Sequence, residues 1–451
     1  MIIKNGRIID PANNIDFIGD IKVQDGIITA VTKTGDMSDN WDRYKKPIDP
    51  TVDEYGEDFI DAAGYAVMPG FIDVHSHFRD PGFEYKEDIL TGAEAAAAGG
   101  YTTVVLMCNT KPVVDNPDTL DYVLNKGKEA LIKVESCSSV TKGLKGEELN
   151  DFDEMVRHGA VGFTDDGIPL MDENILREAF KKAGKLPVSL HEEDKNLIKQ
   201  NGINHGKASK HYEVFGSPRE AEINLIKRDL QIALEEGGMI DVQHISSKEG
   251  VELVRNALKE DLKKQGVSDF ENPSVTRHIH AEATPQHFSL TEEALIEKGT
   301  LAKLNPPFRE EADRQAIIEG LKDGTIDLIA TDHAPHSKEE KEKSITEAPS
   351  GMIGLETAFA LAITHLVNEA GMSLSDVIKK ITINPAKLYN FERGSLSVGA
   401  PADITIADIN EKWIVNEKDF KSKSSNSPFI KEELTGRVKI TICDGEIVYK
   451  N

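Results

Sequence analysis

FIDVHSHFRDPG, residues 71–82, joins a strand to a pair of histidines. An apolar run of Ala66, Val67 and Met68, then Phe71, Ile72 and Val74, leads straight into His75-Ser76-His77. On an extended strand, side chains two apart share a face, so both imidazoles project together. Two neutral imidazoles make half of a zinc site, because zinc takes nitrogen ligands at about 2.0–2.1 Å from several directions. Arg79 continues on that face, and its planar guanidinium suits a carboxylate or phosphate. Pro81 and Gly82 then stop the strand and open a loop. Taken alone, an H-x-H pair reads equally well as two half-exposed histidines at a strand end. The test is whether other ligands arrive beside it.

Strand and helix patterns alternate from about 67 to 392. The strand candidates span 66–75, 102–109, 131–139, 160–166, 186–193, 239–247, 274–285 and 326–336. Segments of helical period such as DTLDYVLNKGKEALI and PREAEINLIKRDLQIALEEGG separate them. Eight strand–helix units predict an α/β fold, a (β/α)8 TIM-type barrel, with an open doubly wound sheet as the alternative. Residues 1–66 and 393–451 read instead as short alternating strands with Asn-Gly and Asp-Gly turns. Neither end has enough strands to stand alone, so the two are predicted to form one small β-sandwich domain together. The polar stretch 34–57 reads as an exposed excursion.

In such a barrel every strand C-terminus opens on one face, and the chemistry sits there. The first strand ends in His75 and His77, the fourth in Thr164-Asp165-Asp166-Gly167, and the fifth in His191. The sixth ends in His244 and the eighth in Thr331-Asp332-His333-Ala334-Pro335-His336. Singly, each histidine reads as a satisfied, partly buried side chain, and each aspartate as a turn residue or helix cap. Together at one rim they predict a metal site. Imidazoles and a carboxylate hold one or two divalent ions, a carboxylate can bridge two of them, and bound water is acidified to a pKa near ~7. A further carboxylate facing that water can take its proton and return it to a leaving nitrogen. His278 and His280 fall early in the seventh strand and are expected away from this face. His287 falls beyond that strand's end, nearer to it. The run SKEEKEKSITE, 337–347, is expected to be a solvated, mobile loop.

Composition narrows the function. At 451 residues, 39% hydrophobic and 29% charged, the chain has enough apolar sequence for a substantial core. A net charge of −25 excludes nucleic acid and anionic membranes as partners. It also means that an anionic substrate would need a local cluster of cations, or a metal, to reverse the field. No apolar run is long enough to span a bilayer, no secretory h-region is seen, and Cys108, Cys137 and Cys443 lie far apart, which together suggest a cytoplasmic protein.

DVHSHFRDPG (73–82), MCNT (107–110), FTDDG (163–167), HEED (191–194), HISSKE (244–249), AEATPQH (281–287), LNPPFR (304–309), DGTIDLIATDHAPH (323–336) and TINPA (382–386) resemble the amidohydrolase superfamily. Within it they most resemble the bacterial type I dihydroorotase family, over essentially the whole chain. The resemblance implies a barrel carrying a small β domain built from both chain ends. It implies zinc-dependent, reversible hydrolysis of dihydroorotate to N-carbamoyl-L-aspartate in pyrimidine synthesis, by attack of metal-bound hydroxide on the ring amide. His75, His77, Asp166, His191 and His244 would be metal ligands, with Asp166 bridging; Asp165 competes with it because FTDDG offers both. Asp332 would be a ligand and the general acid/base. Arg79, Asn109 and His336 would hold the substrate carboxylate, Asn305 would contact the ring, and Ser350 and Gly351 would wall it. A homodimer, with association to aspartate transcarbamoylase as a further partner, also comes with the family.

Two departures stand out: Cys108 replaces a proline common in the family, and Ser350 replaces a phenylalanine. Hydantoinases and allantoinases, the competing amidases, bridge their metals with a carboxylated lysine on the fourth strand, and no lysine lies between Val161 and Leu170 here. A non-catalytic partner of aspartate transcarbamoylase is the other alternative; such proteins tend to lose ligands, and none is lost.

Overall fold

The computed structural model describes residues 1–37, 41–43, 45–52, 58–267 and 275–451. Parts of the expected 34–57 excursion, and Ser274 at the head of the seventh strand candidate, lie outside the described residues.

Eight short parallel strands form the barrel: β1 (Phe71–Ser76), β2 (Tyr101–Leu106), β3 (Lys133–Ser136), β4 (Phe163–Thr164), β5 (Val188–Leu190), β6 (Ile240–Val242), β7 (Ile279–Ala283) and β8 (Leu328–Ile329). β1 to β3 pair in order, as do β4 to β8. Parallel bridges Ser138–Phe163 and Ser76–His333 join the two ladders and close the ring. Asp73 strengthens the second closure by accepting from the Thr331 N–H at 2.8 Å and its hydroxyl at 2.7 Å. The strands are shorter than their apolar patterns suggest because regular pairing stops where each chain turns toward the rim.

The barrel interior holds Ile72, Val74, Val105, Met107, Cys137, Leu328 and Ala330, and Ala386, Leu388 and Tyr389 complete the cluster from the segment after the last unit. These apolar side chains fill the ring as a packed core, which also encloses a few buried polar groups: Ser189 donates to Asp241 Oδ2 at 2.9 Å in mid-strand. Outside it, helices such as Ile89–Ala98, Glu173–Ala183 and Arg219–Glu236 bury their apolar stripes in the main core. Asp88 caps the first of these by accepting from the Leu90 and Thr91 N–H groups, and Asp172 caps the second.

Both chain ends build a single nine-stranded sheet. Ala66–Pro69 lies at its junction, parallel to Ile2–Asp10 and antiparallel to Ile404–Ile414. The strand expected over 66–75 therefore divides at Gly70, where an added Cβ would fall 2.2 Å from Thr102 Oγ1. The edge strand Ile27–Gly35 returns to bridge Pro401, so the sheet curls on itself. Ile3, Ile21 and Ile60 from one end then share an apolar interior with Ile404, Ile440 and Ile442 from the other.

Candidate active site

β1 carries His75 at its end, but its pairing register on β2 shifts between Asp73 and Ser76, and the strand stops at Ser76. Arg79 therefore does not reach the site by strand alternation. It turns in through a left-handed backbone, φ 62°. His244 (φ 34°) and Asp332 (φ 46°) also hold left-handed backbones at their strand ends. Three strained non-glycine residues at one rim mark it as a place where the fold gives up local comfort to aim side chains.

All four histidines and both carboxylates converge and are buried. Asp166 is the hub. Its Oδ1 lies 3.5 Å from His75 Nε2, 3.8 Å from His191 Nδ1 and 3.7 Å from His244 Nε2, and its Oδ2 lies 3.4 Å from His77 Nε2. Asp332 Oδ1 lies 3.1 Å from His77 Nε2 and 3.6 Å from His75 Nε2. Burial alone would raise the Asp166 carboxyl, but His75, His244 and His77 hold it well below the usual range. Asp332 is likewise held ionised against its burial, by the hydrogen bond from His77 and the charges of His75 and His244.

Two sets of donors are close enough to share an ion: His75, His77 and Asp166, and Asp166, His191 and His244. Asp166 belongs to both. The donor set fits divalent metal on a further ground, since the fully buried Nε2 of His75 has no hydrogen-bond partner among the described residues. Asp165 points elsewhere: it accepts from the Thr141 N–H at 3.0 Å and from the Thr141 hydroxyl, and burial raises its pKa to about 6.

Glu282 is a site residue that the strand-end reading overlooks. Its Oε2 accepts from His75 Nδ1 at 2.8 Å, leaving Nε2 to face the site. A carboxylate behind a ligating imidazole fixes its tautomer and strengthens it as a donor. The signal was AEATPQH itself, an acid buried inside a strand.

A cavity opens beside these groups, lined by Arg79, Asn109, Lys303, Asn305, Asp332 and the segment Ala348–Gly351, among others. Asn109 Oδ1 meets His77 Nδ1 at 3.0 Å, and the Asn305 amide meets His191 Nε2 at 3.0 Å. Arg79 is half-buried, donates to the Pro335 carbonyl at 3.2 Å, and lines the cavity, where it offers a cation to a ligand. His336 stands behind Arg79: its Nε2 donates to the Ser350 carbonyl at 2.8 Å, and it is absent from the cavity lining. Burial and the neighbouring Arg79, Lys86 and Lys341 cations keep it neutral. Ser350 turns its hydroxyl to Asn201 at 3.1 Å. His287 is buried below the site, with its Nε2 donating to the Pro306 carbonyl at 3.0 Å, so it supports the Asn305 loop and does not line the cavity.

His278 and His280 lie at the other end of the barrel. His280 meets Asp327 Oδ2 at 2.7 Å and His278 meets Asp261 Oδ1 at 2.9 Å. The run 337–347 is not wholly solvated: Lys338–Lys341 is a helical turn, and Lys341 is only 4% exposed.

A (β/α)8 barrel with clustered imidazoles and a shared carboxylate at its strand ends defines a metal-dependent hydrolase. The model of the amidohydrolase family matches residues 66–448. The chain is 48% identical to the dihydroorotase of Clostridium acetobutylicum, covering 100% of both chains. It is 46% identical to that of Lactococcus lactis, covering 100% of this chain and 99% of the other. Among solved structures, the L-hydantoinase of Arthrobacter aurescens superposes with a TM-score of 0.81 at 26% identity, covering 100% of this chain and 96% of that one. The chain belongs to the amidohydrolase family, and within it to the dihydroorotases.

Proposed function

We propose that this chain is a dihydroorotase, a cyclic amide hydrolase interconverting dihydroorotate and N-carbamoyl-L-aspartate in pyrimidine biosynthesis. The observation that carries the reading is the double use of Asp166 between two imidazole pairs, with Asp332 beside them and Arg79 across the cavity. His75, His77, Asp166, His191, His244 and Asp332 would hold the metal, which we propose is zinc. When bound, a divalent metal acidifies water and polarises an amide carbonyl.

The remaining work falls to side chains of this protein. Arg79 and Asn109 hold the substrate carboxylate, and Asn305 orients the ring; His336 braces them from behind. Ionised Asp332 takes the proton released as water oxygen bonds to the carbonyl carbon, and delivers it to the ring nitrogen as the C–N bond breaks. In the reverse direction the same carboxyl runs these transfers backwards. Because Glu282 fixes the His75 ring and Asn109 the His77 ring, little reorganisation accompanies the reaction. Zinc as the metal, a cytoplasmic setting and a homodimer complete the proposal.

The test is turnover by the purified chain of dihydroorotate, N-carbamoyl-L-aspartate, hydantoin and allantoin. Turnover confined to the first two, and lost in a folded Asp332→Ala variant, supports the reading. Preference for hydantoin or allantoin, substrates without the carboxylate, overturns it.

A further inference from the structure

Two lysines beside the cavity are unusual. Lys303 is 3% exposed and Lys341 4% exposed, yet neither makes an ion pair with a carboxylate among the described residues. Their ammonium groups are spent on backbone carbonyls. Lys303 donates to Ala348 O at 2.7 Å, and Lys341 donates to Pro349 O and Gly351 O, each at 2.9 Å. His336 donates to Ser350 O at 2.8 Å, and Asn426 adds a second donor to Gly351 O at 3.1 Å. Four successive carbonyls of the strap 348–351 are thus capped by side chains from four other places in the chain.

The strap's N–H groups are also nearly all used. Ala348 donates to Ser344 O and Gly351 to Lys303 O. Pro349 has no N–H, and the Ser350 side chain is engaged with Asn201. What the strap has left to offer the cavity is the Ser350 N–H, which has no acceptor among the described residues. Burying two ammonium groups without a carboxylate partner is unfavourable unless other interactions offset it. A strap made to present a donor, in a positive field within a chain of net charge −25, accounts for that expense.

We propose that Lys341, aided by Lys303, is a positioning residue that holds the 348–351 strap so that the Ser350 N–H meets the substrate, and that this pair supplies positive potential for a substrate whose charge is a carboxylate. The proposal rests on the dihydroorotase reading. Burial agrees with it, bringing Lys303 down to about 8 and, with Lys303 as a neighbouring cation, Lys341 down to about 7. The charged groups facing Lys341 are Lys303, the partly opposing Glu340, and through His336 the cations Arg79 and Lys86.

The experiment compares steady-state kinetics of metal-loaded wild type, Lys341→Met and Lys341→Gln. The Met variant keeps the volume and loses the donor, and the Gln variant keeps one donor without the buried charge. Expected is a KM for dihydroorotate raised at least ten-fold in K341M, less in K341Q, with kcat within about three-fold and metal content unchanged. A folded, metal-loaded K341M with the wild-type KM overturns the proposal. A second measurement needs no variant: between pH 7 and 9 the wild-type KM should climb as the pair loses charge, while kcat does not fall in step. A flat KM over that range overturns the proposal even if neither variant folds. Failure of metal-loaded wild type to turn over dihydroorotate at all is a separate outcome, and sinks the functional reading itself.

Discussion

Glu282 Oε2 and His75 Nδ1 meet at 2.8 Å in a place where both side chains are fully buried. The bond orients the His75 ring from behind, so the acid would act on a bound metal without touching it. Removing the charge with Glu282→Gln, which still accepts a hydrogen bond, should weaken metal binding about 10- to 100-fold. Competition with a chelator of known affinity reads this directly, and unchanged affinity would remove Glu282 from the account.

Adjacent aspartates make opposite predictions. Asp166→Asn should lose both metals, because both ligand groups share that carboxylate. Asp165→Asn should keep metal and turnover, and lose on the order of 1–3 kcal/mol of stability by disturbing the bonds to Thr141. Elemental analysis and denaturant unfolding separate the two. A metal-free D165N would reverse the assignment.

Arg79→Met should raise KM for dihydroorotate by about 100-fold or more, since a charge-assisted hydrogen bond to a carboxylate is lost in the cavity that Arg79 lines. The metal content should not change. If KM barely moves, the carboxylate lies elsewhere.

Stability has a pH signature at the far end of the barrel. Burial alone would raise Asp327, but Arg277 and His280 outweigh it and bring it down to about 2. A carboxyl depressed in the folded state contributes stability that is complete above its unfolded pKa of about 3.9 and lost as pH falls toward the folded value. Asp327→Asn should therefore cost about 3–5 kcal/mol at pH 7, and the difference from wild type should shrink between pH 5 and 3. Urea unfolding across that range checks it, and a penalty that grows toward acid contradicts it.

The convergence of His75, His77, Asp166, His191, His244 and Asp332 is legible because a barrel turns a one-dimensional pattern into a place: the polar residue ending each apolar run has to reach the same rim. What stayed hidden depended on partners without period. Lys341 sits in SKEEKEKSITE, which by composition is a solvated run, and only the fold brings the 349 and 351 carbonyls over its ammonium. Glu282 looked like an ordinary strand residue until His75, 207 positions away, was placed beside it. Strand alternation does not carry Arg79 to the cavity; a register shift after Asp73 and a left-handed turn do. Asp165 and Asp166 could not be told apart where a turn makes either reachable; Thr141 settles which one is occupied elsewhere.

The central claim is that Asp166 joins two metal positions that make dihydroorotate hydrolysis possible. Metal content per chain, measured on the same samples as dihydroorotate turnover during chelation and stepwise return of zinc, tests it most directly. Expected are two ions per chain, with activity lost as they leave and restored as they return. Full activity in metal-free protein, or a fully loaded chain inert toward dihydroorotate, would contradict it.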